Sequence, residues 1–203
     1  MLNGAGAAGI AISKFILKLG VKDMILCDRF GVICEGVEGM NPVQAEMARI
    51  TNRQGLKGKL ADAMKGADVF IGVSAANCVT KDMVRSMAKR AIVFTCANPT
   101  PEIPREDALE AGAEIVGTGS SEKPNQINNV LVFPGMFRGA LDVRASKINF
   151  EMMVAAAKAI AGCVPESELN SEYILPYAYE QRAHDAVAKA VAKAARETGV
   201  AKL

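Results

Sequence analysis

Gly4, Gly6 and Gly9 stand in a G-x-G-x-x-G frame only three residues into a 203-residue chain. Between a strand and a helix, that spacing has a mechanical meaning. The first glycine permits a tight turn, the second lets backbone approach a pyrophosphate, and the third lets the helix pack closely on the strand. The frame alone is weak evidence, since small residues abound at helix starts. Two neighbouring features strengthen it. Ile12, Phe15, Ile16 and Leu19 recur at i, i+3, i+4 and i+7, which predicts an amphipathic helix ended by Gly20. The next apolar run, 24–27, ends at Asp28. A carboxylate at that place accepts both ribose hydroxyls of an adenosine and repels a 2′-phosphate. Arg29 beside it could pair with such a phosphate, so the reading favours NAD and leaves NADP open.

The rest of the chain alternates strand and helix. Nearly continuous apolar runs at 67–74 and 91–96 read as strands buried on both faces. Shorter runs at 113–116 and 130–133 are further strand candidates, and the glycine-rich stretch 31–41 reads as a loop or hairpin. Asn41-Pro42 supplies a cap and a first-turn proline for a helix carrying Val43, Met47 and Ile50. A short helical piece at 59–65 closes at Gly66, Thr80 caps a helix carrying Met83 and Met87, and 104–112 is another. From Asn149 onward the pattern is helical, with Ala-rich stretches at 152–162 and 183–197 joined by a proline-bearing loop. This alternation predicts an α/β fold: a Rossmann-like, doubly wound parallel sheet of strand order 3-2-1-4-5-6 over residues 1–148. A C-terminal helical extension follows at 149–203.

Composition narrows the partners. Twenty-four basic and 22 acidic residues are interspersed, for a net charge of +2, and only 5% of residues are aromatic. Without a basic run or aromatic platform, nucleic acid is not the expected partner. No apolar run is long enough for a membrane span and no signal peptide is visible. Five scattered cysteines lack metal-ligand spacing and read as reduced core thiols, which predicts a cytoplasmic location.

In open α/β sheets, ligands sit outside the carboxyl ends of the strands. The loops there are Ser74-Ala75-Ala76-Asn77, Ala97-Asn98-Pro99-Thr100-Pro101 and Gly117-Thr118-Gly119-Ser120, followed by Pro124-Asn125-Gln126-Ile127-Asn128-Asn129. Their neutral amides suit a carboxamide, ribose hydroxyls or a small hydroxy acid, although Asn, Pro and Gly also simply make turns. Glu102, Glu106 and Asp107 fall at a helix start and read as helix-dipole partners. His184, the only histidine, reads as a surface or packing residue. No Ser-His-Asp arrangement, metal-ligand cluster or Walker loop is present, so the chain is expected to hold no catalytic residue and no metal site of its own.

GAGAAGIAI, ANPTPEI, PNQINNVLVFPGMFRGALDVRA and the closing AVAKAVAKAA together closely resemble the NAD-binding domain of bacterial malic enzymes, over essentially the whole chain. The resemblance implies oxidative decarboxylation of malate to pyruvate and carbon dioxide, with a nicotinamide cofactor and Mg²⁺ or Mn²⁺. Carried over by position, Gly4 to Gly9, with Ala5, Ala7 and Ala8, match the phosphate loop. Asp28, with Arg29 beside it, matches the ribose-binding acid. Asn98 matches an asparagine near the nicotinamide ribose and malate, and Asn129 one that contacts the substrate carboxylate. Ser74 and Gly119 match backbone-rich positions lining the cofactor.

In that family the catalytic tyrosine and lysine and the acidic metal ligands precede the glycine loop. The resemblance therefore implies that the chain starts inside a truncated first strand. It also implies that the helical extension packs on an N-terminal domain not contained here, and that the intact enzyme is a dimer or larger. Two other readings compete: a different Rossmann dehydrogenase of shikimate or amino-acid type, and a stand-alone NAD-sensing module. The PNQINN and FPGMFRGALD segments argue against the first, and the short first strand against the second.

Overall fold

A computed structural model describes residues 1–203, which divide into two compact units, 1–119 and 120–203. The first unit is built on a six-stranded sheet. Its strands are β1 (Leu2–Asn3), β2 (Leu26–Asp28), β3 (Gly31–Val32), β4 (Val69–Gly72), β5 (Ile92–Thr95) and β6 (Ile115–Thr118). They lie in the order β3-β2-β1-β4-β5-β6, the 3-2-1-4-5-6 arrangement expected. Every pairing is parallel except β2 with β3, a hairpin in which Asp28 faces Gly31 across the turn residues Arg29 and Phe30. The third position is thus held by a two-residue antiparallel strand at the start of the glycine-rich stretch. The run at 67–74 lies beside β1 instead.

Helices α1 (Ala7–Lys18), α2 (Pro42–Ile50), α3 (Leu60–Met64), α4 (Lys81–Arg85) and α5 (Arg105–Glu110) connect the strands. Local chemistry explains their ends. Gly20 takes φ +98° after the last turn of α1, where a residue with a Cβ is strained. Asn41 accepts hydrogen bonds from the Val43 and Gln44 amides, and the Gln44 side-chain oxygen in turn accepts from the Asn41 amide. Such a reciprocal cap is worth about 1 kcal/mol. Thr80 caps α4 by accepting from Met83 N.

Phe70, Val93 and Val116, all fully buried, lie on one face of the sheet and pack with Met64, Val84, Met87, Ile103 and Ala108 from the α3–α5 side. Their alternate neighbours Ile71, Ile92, Phe94 and Ile115 are only half-buried, so these strands are not sealed on both faces as their continuous apolar runs predicted. A second cluster joins Ala5, Ile10, Leu26, Ile33 and Met47 under α1 and α2. The predicted α1 stripe is displaced. Gly9, Ile10 and Ser13 are buried, Ile12, Phe15 and Ile16 are intermediate, and Leu19 is exposed. On α2 only Met47 of the expected trio is buried, because Gln44 occupies the inner face while Val43 and Ile50 stay exposed.

The second unit contains α6 (Phe133–Asp142), α7 (Phe150–Ala161) and α8 (Gln181–Glu197). The strand candidate at 130–133 is not a strand. Asn129–Leu131 forms a 3-10 turn capped by Asn128 Oδ1 on Val130 N at 2.9 Å, and Phe133 begins α6. Pro134, fixed near helical φ and lacking an N–H, suits a first helical turn and would interrupt an inner strand. Where α6 crosses α8, a Cβ on Gly135 would lie 2.6 Å from His184 O, and one on Gly139 2.4 Å from Ala188 O. The two glycines let the helix backbones approach closely. Asn149 caps α7 through Met152 N at 3.0 Å, as the helical pattern from that residue predicted.

Candidate functional site

Strand register brings the first unit's candidate residues to one edge. Cys27, Asn3, Gly72, Thr95 and Thr118 form a cross-strand row at the carboxyl ends of β2, β1, β4, β5 and β6. Within three residues beyond that row come Asp28, Gly4, Ser74, Asn98 and Gly119. Residues scattered over more than a hundred positions in sequence therefore share the edge where open α/β sheets bind ligands.

The glycine frame is under real steric constraint. Gly4 has φ +106°, and a Cβ there would lie 2.4 Å from Val73 O. A Cβ on Gly9 would meet Gly4 O at 1.9 Å, so the start of α1 is pressed onto the loop. A Cβ on Gly6 would meet nothing within 4 Å. Its space is open, and a side chain there would fill the approach to the helix start. Gly6, Ala7 and Ala8 are exposed, no side chain caps α1, and its first turn holds no acid. Free amides and the positive end of the helix dipole therefore face outward, which suits an anionic group.

Asp28 is half-buried at the β2–β3 turn. One carboxylate oxygen accepts from the Arg29 amide at 2.7 Å and the other from Gln44 Nε2. The same Gln44 nitrogen donates to Ala5 O at 3.1 Å. Gln44, 5% exposed, thus ties Asp28 to the glycine loop. It escaped the reading of the sequence, although Asn41-x-x-Gln44 has the form of a capping box. The Arg29 side chain is exposed.

At the other half of the edge, Glu102 corrects its expected role. Glu106 and Asp107 do sit in the first turn of α5. Glu102 does not; it is 0% exposed and accepts from Ser74 N at 2.9 Å, Ser74 Oγ at 3.3 Å and Ala97 N at 3.1 Å. Gly72 leaves room for it, since a Cβ there would lie 2.5 Å from the Glu102 carboxyl carbon. Asn3 Nδ2 donates to Ser74 Oγ at 2.8 Å. Asn98 itself is exposed, as is Ser74, and Gly119 is half-buried.

Asn129 belongs to the second unit, where it is exposed at the head of the 3-10 turn. Its neighbours are spent on structure. Asn128 caps that turn, while Asn125 donates to Ser171 O at 2.8 Å and accepts from Ile174 N at 2.9 Å. His184 is half-buried against α6. All five cysteines are free. Burial pushes the Cys27 thiol up to about 12 and, with Glu102 as the second cause, that of Cys96 to about 11. No group of three or more His, Cys, Asp or Glu side chains is gathered to hold a metal ion. No helix is long and apolar enough to cross a membrane.

The family described as "Malic enzyme, NAD binding domain" matches residues 1–196. The chain belongs to the malic enzyme family. It is 58% identical over 202 residues to a bifunctional malic/malolactic enzyme of Bacillus subtilis, a match covering 99% of this chain and 49% of that protein. An NAD-dependent malic enzyme of Geobacillus stearothermophilus is 51% identical, over 100% and 42%, and an NADP-dependent malic enzyme of Rhizobium meliloti 47%, over 98% and 28%. Among solved structures, the NAD-dependent malic enzyme of Thermotoga maritima superposes with TM-score 0.89 at 44% identity, covering 94% of this chain and 50% of that one. The malic enzyme of Entamoeba histolytica gives 0.92 at 34%, over 100% and 43%. The chain thus spans half or less of the length of these malic enzymes, and its relatives include both NAD- and NADP-dependent members.

Proposed function

We propose that this chain is the nicotinamide-dinucleotide-binding part of an enzyme that oxidatively decarboxylates malate to pyruvate and carbon dioxide, with NAD as the preferred cofactor. The observation that carries the binding role is the open amide cradle at Gly6–Ala8, with Asp28 tied to it through Gln44. The pyrophosphate would rest on the α1 amides, Asp28 would accept the adenosine ribose hydroxyls, and Ser74, Asn98 and Gly119 would line the remaining half. When bound, the dinucleotide supplies a hydride acceptor. Asn98 and Asn129 are proposed to orient the substrate, Asn129 through its carboxylate.

The residues present do not form a divalent-cation site. We assign the Mg²⁺ or Mn²⁺ of the reaction, and its acid–base groups, to the portion of the relatives that this chain does not span. A surface suited to that portion exists on α6. Phe133, Phe137 and Leu141 recur at i, i+4 and i+8 and are 49, 52 and 73% exposed, with the two rings stacked 5.8 Å apart. Such a contiguous apolar stripe is expected to be covered, here by the N-terminal domain. The test is direct: the 203-residue chain should bind NADH in a fluorescence titration and show no malate-dependent rise in absorbance at 340 nm with NAD and Mn²⁺. Absence of binding would overturn the cofactor role, and steady turnover would overturn the division of labour.

A further inference from the structure

Beneath the exposed loops, Glu102 is a wholly buried carboxylate whose hydrogen-bond partners are all neutral: two backbone amides and one hydroxyl. Burying a charge without a cation is costly. The chain makes space for it at Gly72 and aims the loop amides of Ser74 and Ala97 at its two oxygens. Asn3, at the end of β1, extends the network through Ser74 Oγ. Both of its oxygens accept, from Ser74 and from Ala97, a pattern that a carboxylate meets and a carboxamide, with one donor end, does not.

The place of this charge is specific. Asp28 and the glycine loop claim the β2 and β1 ends for the adenosine and phosphate part of a dinucleotide. The nicotinamide half is then left with the ends of β4, β5 and β6, and Glu102 lies beneath the first two. It lies close to that edge, with one carboxylate oxygen 2.9 Å from Ser74 N and the other 3.1 Å from Ala97 N. Between the oxidised and reduced cofactor, the ring changes from a cation to a neutral group. A fixed negative charge near it interacts favourably with the first and little with the second.

Resting on the dinucleotide reading above, we infer that Glu102 is a positioning residue whose charge also biases this crevice toward the oxidised, positively charged nicotinamide ring. It does so without touching the ring, through the buried network that holds the Ser74 and Ala97 loops. Dissociation constants for NAD and NADH, measured separately by calorimetry on the 203-residue chain, give the ratio that tests it. Glu102→Gln should shift that ratio toward NADH by about three- to ten-fold, the size of a partly screened charge interaction across a crevice. Glu102→Asp, which keeps the charge, should leave the ratio within about two-fold of the parent even where both affinities fall.

A merely structural role would weaken both ligands together, so an unchanged ratio in a folded Glu102→Gln chain overturns the inference. If that variant does not fold, the unmodified chain still decides. It should bind NAD several-fold more tightly than benzamide adenine dinucleotide, which has a neutral ring of similar shape, and equal affinities would refute the bias. Failure of the parent chain to bind either NAD or NADH would refute the underlying cofactor reading, and is distinct from binding with an unbiased ratio.

Discussion

Asp28 is held by two donors, the Arg29 backbone amide and the Gln44 side-chain Nε2, so its orientation is set before any ligand arrives. A ribose diol bound to such a preset carboxylate forms charge-assisted hydrogen bonds, and a 2′-phosphate meets like charge. Asp28→Ala should weaken NAD binding about ten-fold and relax discrimination against NADP, since hydrogen bonds to a charged group contribute about 1.5–3 kcal/mol. Gln44→Ala should reproduce part of that loss, because it frees Asp28 and cuts the link to Ala5 O. Parallel titrations with NAD and NADP check both; tighter NADP binding by the unmodified chain would mean that Arg29 dominates. The cysteines yield a pH prediction. Cys27 and Cys96 have raised thiol values when folded, about 12 and about 11, against an ordinary value near 9. The unfolded chain releases those protons first, so stability from this source is complete below pH 9 and declines as pH rises toward 12. Cys27→Ala with Cys96→Ala should therefore show a shallower fall of melting temperature between pH 9 and 11 than the parent.

At the scale of elements, the crossing of α6 on α8 depends on two missing side chains. Gly139→Ala would place a methyl 2.4 Å from Ala188 O, against backbone that cannot swing away. The helices must separate, at a cost of about 1–3 kcal/mol. Thermal melts followed by circular dichroism should show the drop, and an unchanged melting temperature would mean that the crossing is looser than it stands here. The same crossing shows why part of the architecture escaped the sequence. Strand order and the edge position of Asp28, Ser74, Asn98 and Gly119 were legible, because apolar runs, glycines and turn residues are local signals. The helical start at Phe133 was not, since four apolar residues in a row look alike in both structures until Pro134 and the i, i+4, i+8 recurrence of Phe133, Phe137 and Leu141 are weighed together. Gln44 was overlooked and Glu102 misplaced for another reason. Each is a polar residue near a helix start, where surface exposure is the usual outcome, and only long-range packing against Ala5, Asp28, Ser74 and Ala97 shows what they hold.

For the molecule as a whole, binding and chemistry should separate. Decarboxylation needs a base for the malate hydroxyl, an acid for the enolate and an electrophile for the carbonyl. The exposed amides of Asn98 and Asn129 can donate hydrogen bonds to a substrate but can take up no proton, and no metal-ligand cluster accompanies them. Joining this chain to the portion of a related malic enzyme that it does not span should therefore create malate-dependent reduction of NAD in the presence of Mn²⁺. In that joined protein, Asn98→Ala and Asn129→Ala should each reduce kcat/KM for malate by about ten-fold or more, the loss of one or two orienting hydrogen bonds, with NAD affinity changed far less. Phe137→Asp, on the exposed α6 stripe, should instead lower activity by preventing the halves from associating, and gel filtration of separately expressed halves would show it. An Asn129 variant that lost NAD affinity in step with malate use would place that residue at the cofactor, and the assignment of a substrate-orienting role would fall.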